Sequence, residues 1–112
     1  MIRARPRQVV RESAKSLRRS NDSRAVVLVS PNNPTGTYLK RDELARLSAL
    51  GLPLVSDEVF GDYSLVDDAR RARSVLEAQE GLVIALDGLS KAAALPQMKL
   101  AWLTLGGSTL LV

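Results

Sequence analysis

Apolar and polar positions fall into blocks along this chain, and each block has its own period. Residues 8–19 set Val9, Val10, Ala14 and Leu17 at helical spacing, which predicts a helix with a polar outer face, ended by the polar run 20–23. Residues 25–29 are an unbroken run of alanine, valine and leucine, and the lack of alternation predicts a strand buried on both faces. Pro31-Asn32-Asn33-Pro34-Thr35-Gly36 then reads as a turn. Over residues 40–50, Leu44, Leu47 and Leu50 recur every third position ahead of Gly51, the residue type that most readily takes the left-handed geometry ending a helix. A second helix is expected there. A second buried strand starts at Leu54 and runs into Ser56-Asp57-Glu58-Val59-Phe60, and a polar loop through Tyr63 and Asp68 follows. The pattern predicts a helical turn in residues 74–79, a third buried strand over 82–86, a loop over 87–94 and a last strand over 100–105, before Gly106-Gly107.

Strands alternating with helices over short connections predict the α/β class with a largely parallel sheet. Such a sheet needs helices on both faces, and two clear helices are too few to cover about four strands buried on both sides. The expected architecture is therefore a partial, mainly parallel sheet with flanking helices, the middle of a larger domain. Its parts are a basic N-terminal helical segment over residues 1–24 and the partial domain over residues 25–112.

Composition narrows the chemistry. Among 112 residues there is no cysteine and no histidine, which removes thiolate chemistry, disulfides and the commonest metal ligand and proton shuttle. Acid–base work falls to lysine, carboxylates or tyrosine, with no metal expected. No apolar run approaches the roughly 20 residues that cross a bilayer, so no membrane partner is expected and a soluble, cytoplasmic protein is the default. Much of the net charge of +4 sits in Arg3, Arg5, Arg7, Arg11, Lys15, Arg18, Arg19 and Arg24. A solvated basic helix is the preferred reading of that run, ahead of a nucleic-acid surface or an Arg-rich transit peptide. Tyr38, Phe60, Tyr63 and Trp102 are not interleaved with it, so the stacking platform of a single-strand binder is missing and no nucleic-acid partner is expected.

Ligands of open α/β sheets bind beyond the carboxyl ends of the strands. Asn33 follows the first expected strand, Asp57 ends the second and Lys91 lies just past the third. A carboxamide, a carboxylate and an amine at one rim suit a cofactor with a phenolic oxygen, a basic ring nitrogen and an aldehyde. Each residue alone has a plainer reading: Asn33 a turn residue, Asp57 a solvated strand end, Lys91 a surface lysine. The order of the segments carries the weight. Ser30-Pro31-Asn32-Asn33-Pro34-Thr35-Gly36, then Val55-Ser56-Asp57-Glu58-Val59-Phe60, then Leu89-Ser90-Lys91 with Pro96 and Lys99-Leu100-Ala101-Trp102 resembles the signature of the class I/II aminotransferases, pyridoxal-phosphate enzymes of fold type I. The resemblance covers roughly residues 25–105 and implies the central part of that family's large domain.

It also implies roles. Lys91 would be the Schiff-base lysine, nucleophile first and proton carrier afterwards. Asp57 would pair with the pyridine nitrogen of pyridoxal 5'-phosphate and keep it protonated, and Asn33 would donate to the phenolic oxygen. The bond between Asn33 and Pro34 is a candidate for cis geometry, which X-Pro adopts cheaply. Ser90 and Lys99 resemble the phosphate-binding hydroxyl and cation, with Lys99 where the family usually has arginine, so a point charge replaces a bidentate fork. Phe60 stands where the family commonly has a tyrosine that bonds the cofactor, and Tyr63 is the candidate to compensate. Ala101 replaces a common glycine, a packing change. The substrates implied are an amino acid and a 2-oxo acid, and the whole enzyme would be a homodimer. The phosphate-gripping loop, the stacking aromatic and the substrate-binding arginine of complete members are not identifiable, so the expectation is a truncated chain, inactive alone. The alternatives are another fold type I activity such as a β-eliminating lyase, or a non-catalytic remnant that binds a partner.

Overall fold

The computed structural model describes residues 22–108, and the helix expected over residues 8–19 lies outside them. Four strands form one sheet in sequence order: β1 (Val26–Val29), β2 (Leu54–Asp57), β3 (Leu82–Gly88) and β4 (Ala101–Gly107). The first three run parallel, in keeping with the mainly parallel sheet expected, and β4 returns antiparallel to β3. Helix α1 (Arg41–Ser48) connects β1 to β2, and a 3-10 turn (Val75–Glu77) lies in the connection to β3. A four-residue helix, α2 (Leu89–Ala92), and a second 3-10 turn (Pro96–Met98) join β3 to β4.

Local chemistry sets the ends of α1. Glu43 accepts the Lys40 N–H at 3.0 Å, satisfying a donor that the first turn leaves open, and Asp42 pairs with Arg46 one turn on at 2.9 Å. Gly51 takes φ +65°, the left-handed conformation for which its position was singled out. The helix presents Leu44 and Leu47 to the sheet. They meet Val75 of the 3-10 turn, Ala72, Leu54 of β2, and Val83 and Ala85 of β3 to form the core.

Register shows which face that core occupies. Val26, Leu54 and Val83 lie in one row across the parallel strands, and Leu28, Ser56 and Ala85 in the next. The opposite face carries Val27, Val55, Ile84 and Leu105 in one row and Val29, Asp57, Leu86 and Leu103 in the other. Among the described residues only the first face is covered. Val27 is 67% exposed and Leu105 66%, so the expectation that the strands are buried on both faces is corrected for β1 and β4. The physical reason is that a sheet face is buried only by a layer laid on it, and α1 and the 3-10 turn lie on one side.

Ser56 is an exception inside the core. It is fully buried and its hydroxyl has no hydrogen-bond partner among the described residues. An unpaired buried hydroxyl costs more than its removal, so Ser56→Ala is expected to raise stability by about 1 kcal/mol, read as a higher urea midpoint at unchanged slope. A lower midpoint would show that the hydroxyl is paired.

Candidate functional site

The carboxyl ends of β1 and β2 are level, and β3 runs two residues past them, to Gly88. Val29 is opposite Asp57 and Asp57 opposite Leu86, with Ser30 N–H donating to Asp57 O at 2.9 Å and Glu58 N–H to Leu86 O at 2.9 Å. The loop holding Asn33, the Asp57 side chain and the start of α2 therefore leave the sheet at one rim.

After β1 the chain makes two cis peptide bonds, Ser30–Pro31 and the Asn33–Pro34 bond singled out from the sequence. Leu39 N–H donates to the Ser30 hydroxyl at 3.0 Å, which closes the base of the loop. Asn32 spends its groups inside it: its N–H donates to Thr37 O, its carbonyl accepts from Gly36 N–H and its carboxamide donates to Thr35 at 2.7 Å. Asn33 is exposed, and its carboxamide makes no hydrogen bond among the described residues. Of the two adjacent asparagines, Asn33 is the one free to bind.

Asp57 lies on the sheet face opposite α1 and is half-buried. Its Oδ1 accepts the Val59 N–H at 3.2 Å, and Oδ2 has no partner among the described residues. One oxygen is fixed and one is available. The neighbouring Glu58 is already engaged, its Oε1 accepting the Val75 N–H at 2.7 Å.

Lys91 sits in α2, where a loop was expected, because β3 continues to Gly88 and the chain then makes one helical turn. Its ammonium stands over the Phe60 ring, 5.3 Å from the centroid. Phe60 meets Tyr63 edge to face, with centroids 5.8 Å apart, and the Tyr63 hydroxyl donates to the Lys91 carbonyl at 2.8 Å. The reversal of β4 returns Lys99 to the end of β3 that carries Ser90. A side chain at Gly88 would come within 3.0 Å of Leu100 O, so glycine permits that close approach. Ser90 and Lys99 are both exposed.

Asn33, Phe60 and Tyr63 line one recess of about 650 Å³ together with Tyr38, Lys40, Leu65, Val66, Asp68 and Arg71. Asp57, Ser90, Lys91 and Lys99 are not among its walls, so the structure joins Lys91 to this recess through Tyr63 and Phe60. A smaller recess of about 210 Å³ between Glu58, Asp62, Arg71 and Asp87 contains none of the candidate cofactor-binding residues. Arg71 was missed by the sequence reading. Its guanidinium stacks on Tyr38 at 4.6 Å while the Tyr38 hydroxyl donates to Gly61 O at 3.2 Å, tying the Asn33 loop to the loop after β2. No local signal marks a contact between residues so far apart in the chain.

The recess wall has one group with an altered titration. Arg70, through its guanidinium and then its main-chain N–H, holds the Asp68 carboxyl down at about 2. At Glu77 burial pushes upward, but the Arg73 N–H and the Arg41 guanidinium outweigh it and the net shift is downward. A depressed carboxyl stabilises the fold above its unfolded value and loses that contribution as pH falls through the folded one. For Asp68 the window runs from about pH 4 to about pH 2. Asp68→Asn is therefore expected to flatten the acid limb of stability in that window, and less so at high salt because the group is exposed. A limb of unchanged slope would refute it.

In comparisons with known proteins, the family described as Aminotransferase class I and II matches residues 9–109. A histidinol-phosphate aminotransferase of Erythrobacter litoralis is 34% identical over 89 residues, 76% of this chain and 24% of that protein. An alanine aminotransferase of Mycobacterium bovis is 33% identical over 76% of this chain and 20% of its own length. Among solved structures, an aspartate aminotransferase of Thermotoga maritima superposes with a TM-score of 0.61 at 32% identity, over 72% of this chain and 22% of that one. The chain thus spans about a quarter or less of the length of these relatives.

Proposed function

Since this chain belongs to the class I and II aminotransferase family, we propose that it carries the pyridoxal 5'-phosphate-anchoring part of an enzyme that moves an amino group between an amino acid and a 2-oxo acid. The observation that carries this reading is the shared rim: Asn33 follows β1, Asp57 ends β2 and Lys91 follows β3, three adjacent strands, in the order the family signature requires.

The donor set fits the group. Bound there, the cofactor supplies an electron sink for the bond broken at the substrate α-carbon. Lys91 is the amine that holds it covalently and then carries a proton at Nζ. Asp57, whose Oδ2 has no partner among the described residues, would pair with the ring nitrogen and keep it protonated, since an opposite charge nearby favours that form. Asn33 offers its unspent carboxamide to the phenolic oxygen. Ser90 and Lys99 receive the phosphate, Lys99 as a point charge. Tyr63 closes the site between Lys91 and the recess that Asn33 borders. The relatives' names span histidinol phosphate, alanine and aspartate, so the amino acid is left open within that class. The whole enzyme is a homodimer in this reading, which light scattering checks.

Reduction of the whole enzyme with borohydride in the presence of pyridoxal 5'-phosphate tests it. A label on the peptide carrying Lys91, together with 2-oxo acid formation that requires an amino acceptor, is the expected result. Label elsewhere would sink the assignment, and 2-oxo acid formed without an acceptor would point to the lyase alternative.

A further inference from the structure

Helix α2 is four residues long and buries no side chain, so neither helix propagation nor packing fixes it. It is held at its ends. The Leu89 N–H donates to Leu100 O at 3.0 Å and ties the start of the helix to the residue before β4. At the other end the N–H groups of Ala93 and Leu95 both go to Leu89 O. The Lys91 carbonyl belongs to the last turn, where a helix has no N–H ahead to offer. Tyr63 fills that gap with its hydroxyl at 2.8 Å, from the loop after β2. The same loop presents the Phe60 ring, fixed edge to face by Tyr63, with the Lys91 ammonium 5.3 Å from its centroid. A cation at that distance from an aromatic face is attracted to it.

We propose that Tyr63 is a positioning residue for Lys91, gripping its main chain through the hydroxyl, and that the Phe60 ring is the seat of its ammonium group. The inference rests on the reading of Lys91 as the cofactor lysine and deepens it. The grip explains how the site tolerates phenylalanine at position 60: the ring receives the amine, and the hydroxyl three residues on acts on the lysine instead of on the cofactor. The phenol has one proton to donate, and the Lys91 carbonyl takes it. An amine that must be presented, released and recaptured depends on a fixed main chain, because small misplacements are costly in a reacting geometry.

The test uses the cofactor-free protein. Lysines are acetylated with a limiting succinimidyl ester and the rates at Lys91 and Lys99 are mapped by peptide mass. Tyr63→Phe, which keeps the ring, and Phe60→Leu are each expected to raise the Lys91 to Lys99 ratio roughly three- to tenfold, the loss of one interaction of ordinary strength. Phe60→Tyr, which keeps the aromatic face, is expected to leave the ratio unchanged. Tyr63 is 55% exposed, so its replacement leaves the core intact, and a urea midpoint close to the wild-type value checks this. An unchanged ratio in Tyr63→Phe and Phe60→Leu, or a rise shared equally by Lys91 and Lys99, would overturn the proposal. Borohydride labelling of the same variants separates the two readings. A changed ratio with no label on Lys91 would remove the cofactor assignment and leave the grip standing; a label on Lys91 with an unchanged ratio would do the reverse.

Discussion

In the whole enzyme, Lys91→Ala is expected to lower amino-group transfer by on the order of 10³-fold or more and to abolish reductive labelling by pyridoxal 5'-phosphate at α2. The reaction needs one amine as covalent anchor and proton carrier, and both tasks fall on Lys91 Nζ. Within α2, Lys91 is the single amine, and the cation nearest in sequence, Lys99, lies beyond the 3-10 turn Pro96–Met98. Lys91 is exposed and its ammonium lies over the Phe60 ring, so the substitution should cost no more than about 1 kcal/mol of stability. Loss of activity without loss of fold is the combined signature, read from initial rates and a denaturation curve. Transfer of the label to Lys99, or activity within tenfold of wild type, would show that Lys91 is not the amine.

In the whole enzyme, Asp57→Ala is expected to reduce amino-group transfer by roughly 10²- to 10³-fold, because losing the charge that keeps the ring nitrogen protonated weakens the electron sink. Glu58→Gln should change it little. The comparison is sharp because adjacent carboxylates meet different partners. Among the described residues Asp57 keeps Oδ2 without a partner at the rim, whereas Glu58 spends Oε1 on the Val75 N–H. Glutamine preserves an acceptor for that N–H; alanine leaves it open, so Glu58→Ala costs about 1 kcal/mol of stability and is the wrong control for activity. Equal losses in Asp57→Ala and Glu58→Gln, measured at saturating cofactor, would mean that the aspartate has been misassigned.

Much of the fold is legible because short-range periodicity and turn chemistry act within a few residues. The run Val26–Val29, the leucine spacing of α1 with Gly51 behind it, and the strand beginning at Leu54 all appear where their patterns put them. The extension of β3 to Gly88 is not legible, since Asp87 and Gly88 are poor strand formers and are held there by pairing with Trp102 and Ala101. The antiparallel return of β4 is likewise a property of the partner strand. A largely apolar strand pattern is compatible with either direction.

The candidate site divides along the same line. Sequence alone determined which residue types stand at the strand ends, Asn33, Asp57 and Lys91, because order along the chain and alternation of strand and helix bring such ends to one rim. It also marked Phe60 as a departure from the family pattern and Tyr63 as the candidate to compensate. Only the tertiary structure decided that, among the described residues, Asn33 and not Asn32 is unspent, that Asp57 has one free oxygen while Glu58 has been taken by Val75, and that the Tyr63 hydroxyl reaches the Lys91 carbonyl. The reason is that a hydrogen bond is fixed by the position of both partners to within a few tenths of an ångström. For pairs such as Tyr63 and Lys91, that position is set by how separate strands and loops pack together.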